Sequence, residues 1–218
     1  GVGTAQGPND GRDRDSPLVP VPQCLAMKLP NCPDNANSAM SEIIVSCERY
    51  IKSDSKNPLA HSLIGRAYRA LGRLSEAEGA FESQLRLGQS LNDASTIGQA
   101  YYNLATIQLR RGALDRSEFY VQKSLESAKG NNIAEAAIYK ALGDIYFRKG
   151  DFRKAETYFQ QSTDFFLQTD DKFGLGGAYT GLGFSKLRQR DRNGCQYLQK
   201  ARSLYADLAC YGPKNESE

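Results

Sequence analysis

The chain holds a single histidine, His61, and no Cys-x-x-Cys pair among its five cysteines. Tetrahedral zinc sites draw on clustered cysteine and histidine at short spacing, so no metal is expected. No Gly-x-Ser-x-Gly turn occurs, and Ser-His-Asp catalysis needs three convergent groups, so the chain is not expected to be an enzyme or to carry a cofactor. No apolar run approaches the roughly 18 residues that cross a bilayer, and the reading is a soluble protein. The net charge is only +3. No lysine-rich tract interleaves with aromatics as a strand-binding groove requires, which argues against nucleic acid. Gly174-Leu175-Gly176-Gly177 faintly resembles a phosphate loop, but it enters a helical pattern without a preceding strand or a Gly-Lys-Ser ending, and is read as a helix junction.

What the sequence does have is one pattern that returns. Leu63-Ile64-Gly65 precedes Tyr68 and Gly72, Leu104-Ala105 precedes Gly112, Leu142-Gly143-Asp144-Ile145-Tyr146 precedes Gly150, and Tyr179-Thr180-Gly181-Leu182-Gly183 precedes Leu187. The anchors Gly65, Ala105, Gly143 and Gly183 stand 40, 38 and 40 residues apart. A fixed period of this size marks a solenoid, whose units bury their apolar faces against their neighbours. The predicted helix pairs run 58–71 with 74–91, 94–111 with 114–129, 133–149 with 152–169, and 172–189 with 192–209. Turns fall at Gly72-Arg73, Gly112-Ala113, Gly150-Asp151 and Arg190-Asp191, and in the first three glycine accepts the left-handed conformation that ends a helix. Ahead of them, Asp34 or Asn37 can cap a helix with apolar positions Ala39, Met40, Ile43, Ile44, Cys47, Tyr50 and Ile51.

Within each pair the residues explain the closeness of the helices. Gly65 against Ala77, and Gly143 against Ala155, put two minimal side chains at the crossing, while Tyr68 with Phe81 and Tyr146 with Phe159 fill the space beside it. Pro58, Ile64-Gly65, Tyr68, Gly72, Ala77 and Phe81, repeated as Leu142-Gly143, Tyr146, Gly150, Ala155 and Phe159, resemble the tetratricopeptide repeat. The second repeat departs with Ala105, Gln108 and Ser117, and the fourth with Lys186, Arg190 and Cys195. The period of 38 to 40 residues is longer than the usual one and looks like the variant found in cell-polarity adaptors and peptide-sensing regulators. The resemblance implies an all-α fold, an α-solenoid of tetratricopeptide-like helix pairs forming a right-handed superhelix. The division expected is a Pro-containing arm over 1–33, a leading helix of an incomplete repeat over 34–57, four repeats over 58–212 and a polar tail over 213–218.

In this family the first helix of each pair lines the concave face. Carrying those positions over implies Ser62, Arg66 and Arg69 in the first repeat, Tyr102, Asn103, Thr106 and Arg110 in the second, Lys140, Asp144, Phe147 and Arg148 in the third, and Thr180, Phe184 and Arg188 in the fourth. Such a groove implies a non-catalytic scaffold or adaptor that binds an extended or helical segment of a partner protein. The cation ladder suits acidic side chains or a terminal carboxylate, with Asn103 fixing the backbone. The alternative is a regulator whose superhelix changes shape on binding a peptide.

Residues 17–22, Pro-Leu-Val-Pro-Val-Pro, favour an extended arm. The chain opens with glycine rather than methionine, as expected of a processed N-terminus, and no signal peptide is visible. Cys47 and Cys195 are expected as buried free thiols at repeat-core positions. Cys24 and Cys32 could close a disulfide in an oxidising compartment, which leaves an exported chain open beside a cytoplasmic one. The last helix carries Cys195, Leu198, Ala201, Leu204, Tyr205 and Leu208 with no further helix to cover them, so a homodimer through that helix is expected.

Overall fold

The computed structural model describes residues 36–208, and every regular element among them is an α-helix. The helices are α1 (Ala36–Ser53), α2 (Pro58–Ala70), α3 (Leu74–Ser90), α4 (Ala94–Arg111), α5 (Leu114–Ala128), α6 (Asn132–Arg148), α7 (Phe152–Phe166), α8 (Lys172–Arg188) and α9 (Gly194–Asp207). They fall into two compact units, α1–α3 and α4–α9. Asn37 lies inside α1 rather than ahead of it, and Asp34, the proline arm and the polar tail lie outside the described residues.

Local sequence fixes the ends. Asn57 accepts a hydrogen bond from the Leu59 amide just before Pro58, which occupies the first helical turn without wasting a donor. Asp93, Asn131, Asp151 and Asp171 accept from backbone amides at the starts of α4, α6, α7 and α8. The expected glycine turns are present at Gly72, Gly112 and Gly150, with φ of 75°, 78° and 84°. The fourth turn uses Arg190 at φ 63°, a conformation that costs a non-glycine residue more.

In the first unit α2 packs against both α1 and α3. Phe81 lies so close to Gly65 that a Cβ there would sit 2.5 Å from its ring. Tyr68 donates to Glu48 Oε1 at 2.8 Å, tying α2 to α1. Burial, then this hydrogen bond to a carboxylate, pushes the Tyr68 phenol up to about 12.

In the second unit each helix packs on the next, and the first helices of successive pairs, α4, α6 and α8, also touch. The Phe159 ring, expected beside the Gly143 crossing, lies directly against Gly143, 2.7 Å from where a Cβ would stand. Three buried serines are bound to carbonyls of the facing helix: Ser117 to Ala105 at 2.8 Å, Ser124 to Gly98 at 2.8 Å and Ser162 to Ala136 at 2.7 Å. Ser117 therefore replaces the expected alanine without leaving a buried hydroxyl unsatisfied.

Both cysteine expectations inside the described residues are corrected. Cys47 is buried but disulfide-bonded rather than a free thiol. Cys195 is free and exposed rather than buried. Its expected place is taken by Gly194, which is buried against Gly183. Gly194 follows Gly183 by 11 residues, whereas the crossing residues of the other three pairs are 12 apart, so the crossing residue arrives one position early. The suggested Cys24–Cys32 bridge lies outside the described residues, as does Cys210.

Candidate partner-binding face

The crossings and seams consume most faces of α4, α6 and α8, leaving one stripe on each. Along α4 the stripe carries Tyr102, Thr106 and exposed Arg110; along α6, Lys140, Asp144, Phe147 and Arg148; along α8, Thr180, Phe184 and Arg188. The spacing of about 3.6 residues per turn sets these positions on one side of each helix. Asn103, expected here, is 3% exposed and sits in the wall of the seam. The first unit holds Arg66 and Arg69 half-buried on α2, with Arg69 over the Phe81 ring at 5.6 Å, while Ser62 is buried.

Lys140 occupies a socket. Its Nζ donates to Asp144 Oδ2 at 3.0 Å, one turn along the same helix. Its stem crosses α8 at Gly177, where a Cβ would stand 2.8 Å from Lys140 Cε. The Tyr205 ring from α9 lies against Gly176, 3.0 Å from where a Cβ would be, and Tyr102 and Tyr205 both act on the ammonium electrostatically. Burial works against the charge, but Asp144 and these hydroxyls outweigh it and hold the Lys140 pKa above the usual lysine value. Gly176-Gly177 is thus a clearance for two side chains, and Gly174 a clearance for Phe166, whose ring lies against it.

The other cations of the ladder differ in what holds them. Arg148 donates to the Leu109 carbonyl on α4. Arg188 lies over the Phe152 ring at 4.4 Å and the Phe147 ring at 6.0 Å, and Phe147 meets Phe152 edge to face at 5.1 Å. Phe184, one turn before Arg188, is 48% exposed.

Two repeated features went unread in the sequence. A tyrosine of the first helix meets one of the second in all three pairs of this unit: Tyr101 stacks on Tyr120 at 5.9 Å and Tyr139 on Tyr158 at 6.2 Å, while Tyr179 lies tilted against Tyr197 at 5.9 Å. Their recurrence at the repeat period was the available signal. His61, at the corresponding place in the first repeat, is half-buried and donates from Nε2 to the Ser55 carbonyl at 2.9 Å. The second feature is a polar link between repeats. Tyr146 of α6 and Lys149 just after it both donate to Glu118 of α5, and Lys186 of α8 and Gln189 just after it both donate to Glu156 of α7. Although burial raises the Glu118 carboxyl, Lys149 and Tyr146 together hold it below the ordinary value.

Among the described residues no group of three or more acidic, cysteine or histidine side chains could hold a metal, and no helix is long and apolar enough to cross a membrane. The face can therefore offer aromatic surface, hydroxyls and guanidinium groups.

Sequence profiles of the tetratricopeptide repeat match residues 60–95 and 136–165. Human tetratricopeptide repeat protein 29 is 26% identical over 129 residues, covering 56% of this chain and 27% of that protein. The Tonsoku-like protein of Mus musculus is 33% identical over 118 residues, covering 53% of this chain and 8% of that protein. The chain thus spans about a quarter or less of the length of these relatives. BtubC from P. vanneervenii shares the fold with a TM-score of 0.59 at 19% identity, over 83% of this chain and 76% of that one. The chain thus carries tetratricopeptide repeats at residues 60–95 and 136–165, set in a solenoid of helix pairs of the same fold.

Proposed function

We propose that this chain is a non-catalytic scaffold that holds a segment of a partner protein along the face built by the first helices of its pairs. The observation that carries the reading is the stripe of α4, α6 and α8. These three helices touch in series, bury every other face, and still leave Tyr102, Thr106, Asp144, Thr180 and Phe184 unsealed. A tetratricopeptide solenoid is a protein-interaction fold, and its first-helix face is where an extended or helical segment fits. Arg110, Arg148 and Arg188, exposed along the second unit's stripe, give the segment an acidic character. Association of two copies through α9 remains part of this proposal, with Leu204 and Leu208 half-buried on that helix.

The test is affinity capture from the source cell with mass spectrometry, followed by titration calorimetry on the purified partner. Replacing Tyr102 with Ala and Thr180 with Arg should weaken the captured partner by roughly tenfold or more without loss of helical circular dichroism. A partner whose affinity is untouched by both changes sits elsewhere and overturns the reading.

A further inference from the structure

α1 stands in the register of a second helix. Ile43 and Cys47 lie 34 residues before Ala77 and Phe81 of α3, and Phe81 packs its ring on Gly65 of the first helix of its pair. Among the described residues α1 touches α2 alone, the first helix of the following pair. Yet burial reaches further round α1 than one neighbour covers. Glu48, which accepts from Tyr68 of α2, and Ser46, only 4% exposed, are two residues and so about 160° apart around the helix. Cys47 is fully buried and disulfide-bonded.

Elimination and reach identify the other half of that bond. Cys195 is free and exposed, which leaves Cys24, Cys32 and Cys210. Cys47 stands 11 residues into α1, about 16 Å along its axis. Cys32 is four residues ahead of Ala36, with Pro33 among them, and that length of chain spans about 14 Å at full stretch. It is too short to turn back along α1 and meet Cys47. Cys24 is twelve residues ahead of Ala36 and has about 40 Å to do so. It is also 23 residues from Cys47, whereas Cys210 is 163 away, and loop closure costs less over the shorter separation.

We infer that Cys24 is bonded to Cys47, and that the segment it staples, residues 18–29, fills the empty first-helix slot of α1 and caps that end of the first unit. Leu18, Val19, Val21, Leu25, Met27 and Leu29 flank Cys24 on both sides, an apolar complement to Met40, Ile43 and Ile44 on α1. Pro20 and Pro22 within the segment, and Pro30 after it, keep it from packing as a helix, so a covalent link fastens what helix packing fastens in the other pairs. The bond forms by exchange with a small-molecule disulfide. The thiolate of one cysteine attacks it and expels one thiol, and the thiolate of the other attacks the mixed disulfide and expels the second; the two electrons and two protons leave with the two thiols released. A reducing thiol reverses both steps and opens the slot. None of this depends on the partner-binding face.

The test is disulfide mapping of the full, alkylated, unreduced chain. Trypsin cuts after Lys28 and Arg49, and a protease specific for acidic residues cuts after Asp34 and Glu42, which places Cys24, Cys32 and Cys47 on separate peptides. The Cys24 and Cys47 peptides should emerge joined and part on reduction. Cys47 joined to Cys32, to Cys210 or to a second copy, or found alkylated, overturns the inference. Cys24→Ser and Cys47→Ser should each lower the thermal midpoint by roughly 5 °C, and the double variant should fall no further, since both remove one bond. Hydrogen exchange over Ala36–Ser53 should rise in Cys24→Ser. It should rise again when Leu25, Met27 and Leu29 are replaced together by Ser with the bond intact, while α6–α8 keep their protection in both variants. A Cys24–Cys47 bond whose removal leaves α1 as protected as before overturns the filled slot.

Discussion

Gly183 of α8 and Gly194 of α9 meet backbone to backbone: a Cβ on Gly183 would lie 2.8 Å from the Gly194 carbonyl oxygen, and one on Gly194 would lie 2.8 Å from Leu187 Cγ. This contact makes Gly194, not Cys195, the crossing residue of the fourth pair. Gly194→Leu should therefore destabilise by about 1–3 kcal/mol or more through overpacking. Cys195→Ser, at an exposed position, should stay within about 0.5 kcal/mol. Chemical denaturation of the two variants checks the order, and a reversal removes Gly194 as the crossing residue.

The same argument applies where sequence and structure agree. Gly143→Leu would drive a side chain into Phe159, whose ring carbons lie 2.7 Å from the position of a Cβ. A loss on the order of 1–3 kcal/mol or more is expected from such overpacking. An unchanged thermal midpoint would remove the crossing at Gly143.

Glu118 supplies a pH dependence. Its carboxyl is held below the ordinary value in the folded chain, despite burial, by Lys149 and Tyr146. The folded state thus binds this proton less readily than the unfolded one, and the stabilisation is complete above the unfolded carboxyl value and lost as pH falls through the folded one. At neutral pH Glu118→Gln should melt below the parent. The gap should close as pH drops below about 4, the ordinary carboxylate range. A gap that persists or widens in acid would mean that the ionised carboxylate does not join α5 to α6.

Cys47 is bridged and Cys195 is not. Peptide mapping of unreduced protein after alkylation should therefore find Cys47 in a cross-linked peptide and Cys195 modified. Reduction, or Cys47→Ser, should lower the thermal midpoint, because cutting the link restores conformational freedom to the unfolded chain. Alkylated Cys47 in the oxidised, folded protein would contradict the bridge.

How much of this was legible from the residues varies by position. Gly65, Gly143, Ala77, Ala155 and the turn glycines signal their role by themselves, because few side chains fit a close crossing or a positive φ. Gly194 was hidden by the assumption of constant spacing, yet Gly194-Tyr197-Leu198-Ala201 repeats the pattern of Ala155-Tyr158-Phe159-Ser162 once the interval between crossing residues is taken as 11 instead of 12. The Lys140–Asp144 pair could be read from its four-residue separation, but the approach of Tyr205 to the same socket depends on how α9 returns against α8. Cysteine pairing is not encoded locally at all, so Cys47 read as a small apolar residue.

The central claim is that a partner segment lies along the first helices of the pairs. Hydrogen–deuterium exchange of the full chain, alone and with its captured partner, tests that claim most directly. Protection should appear in α4, α6 and α8, strongest in peptides covering Tyr102, Asp144 and Thr180 through Arg188. Protection confined to the second helices α5 and α7, with those three unchanged, would contradict it.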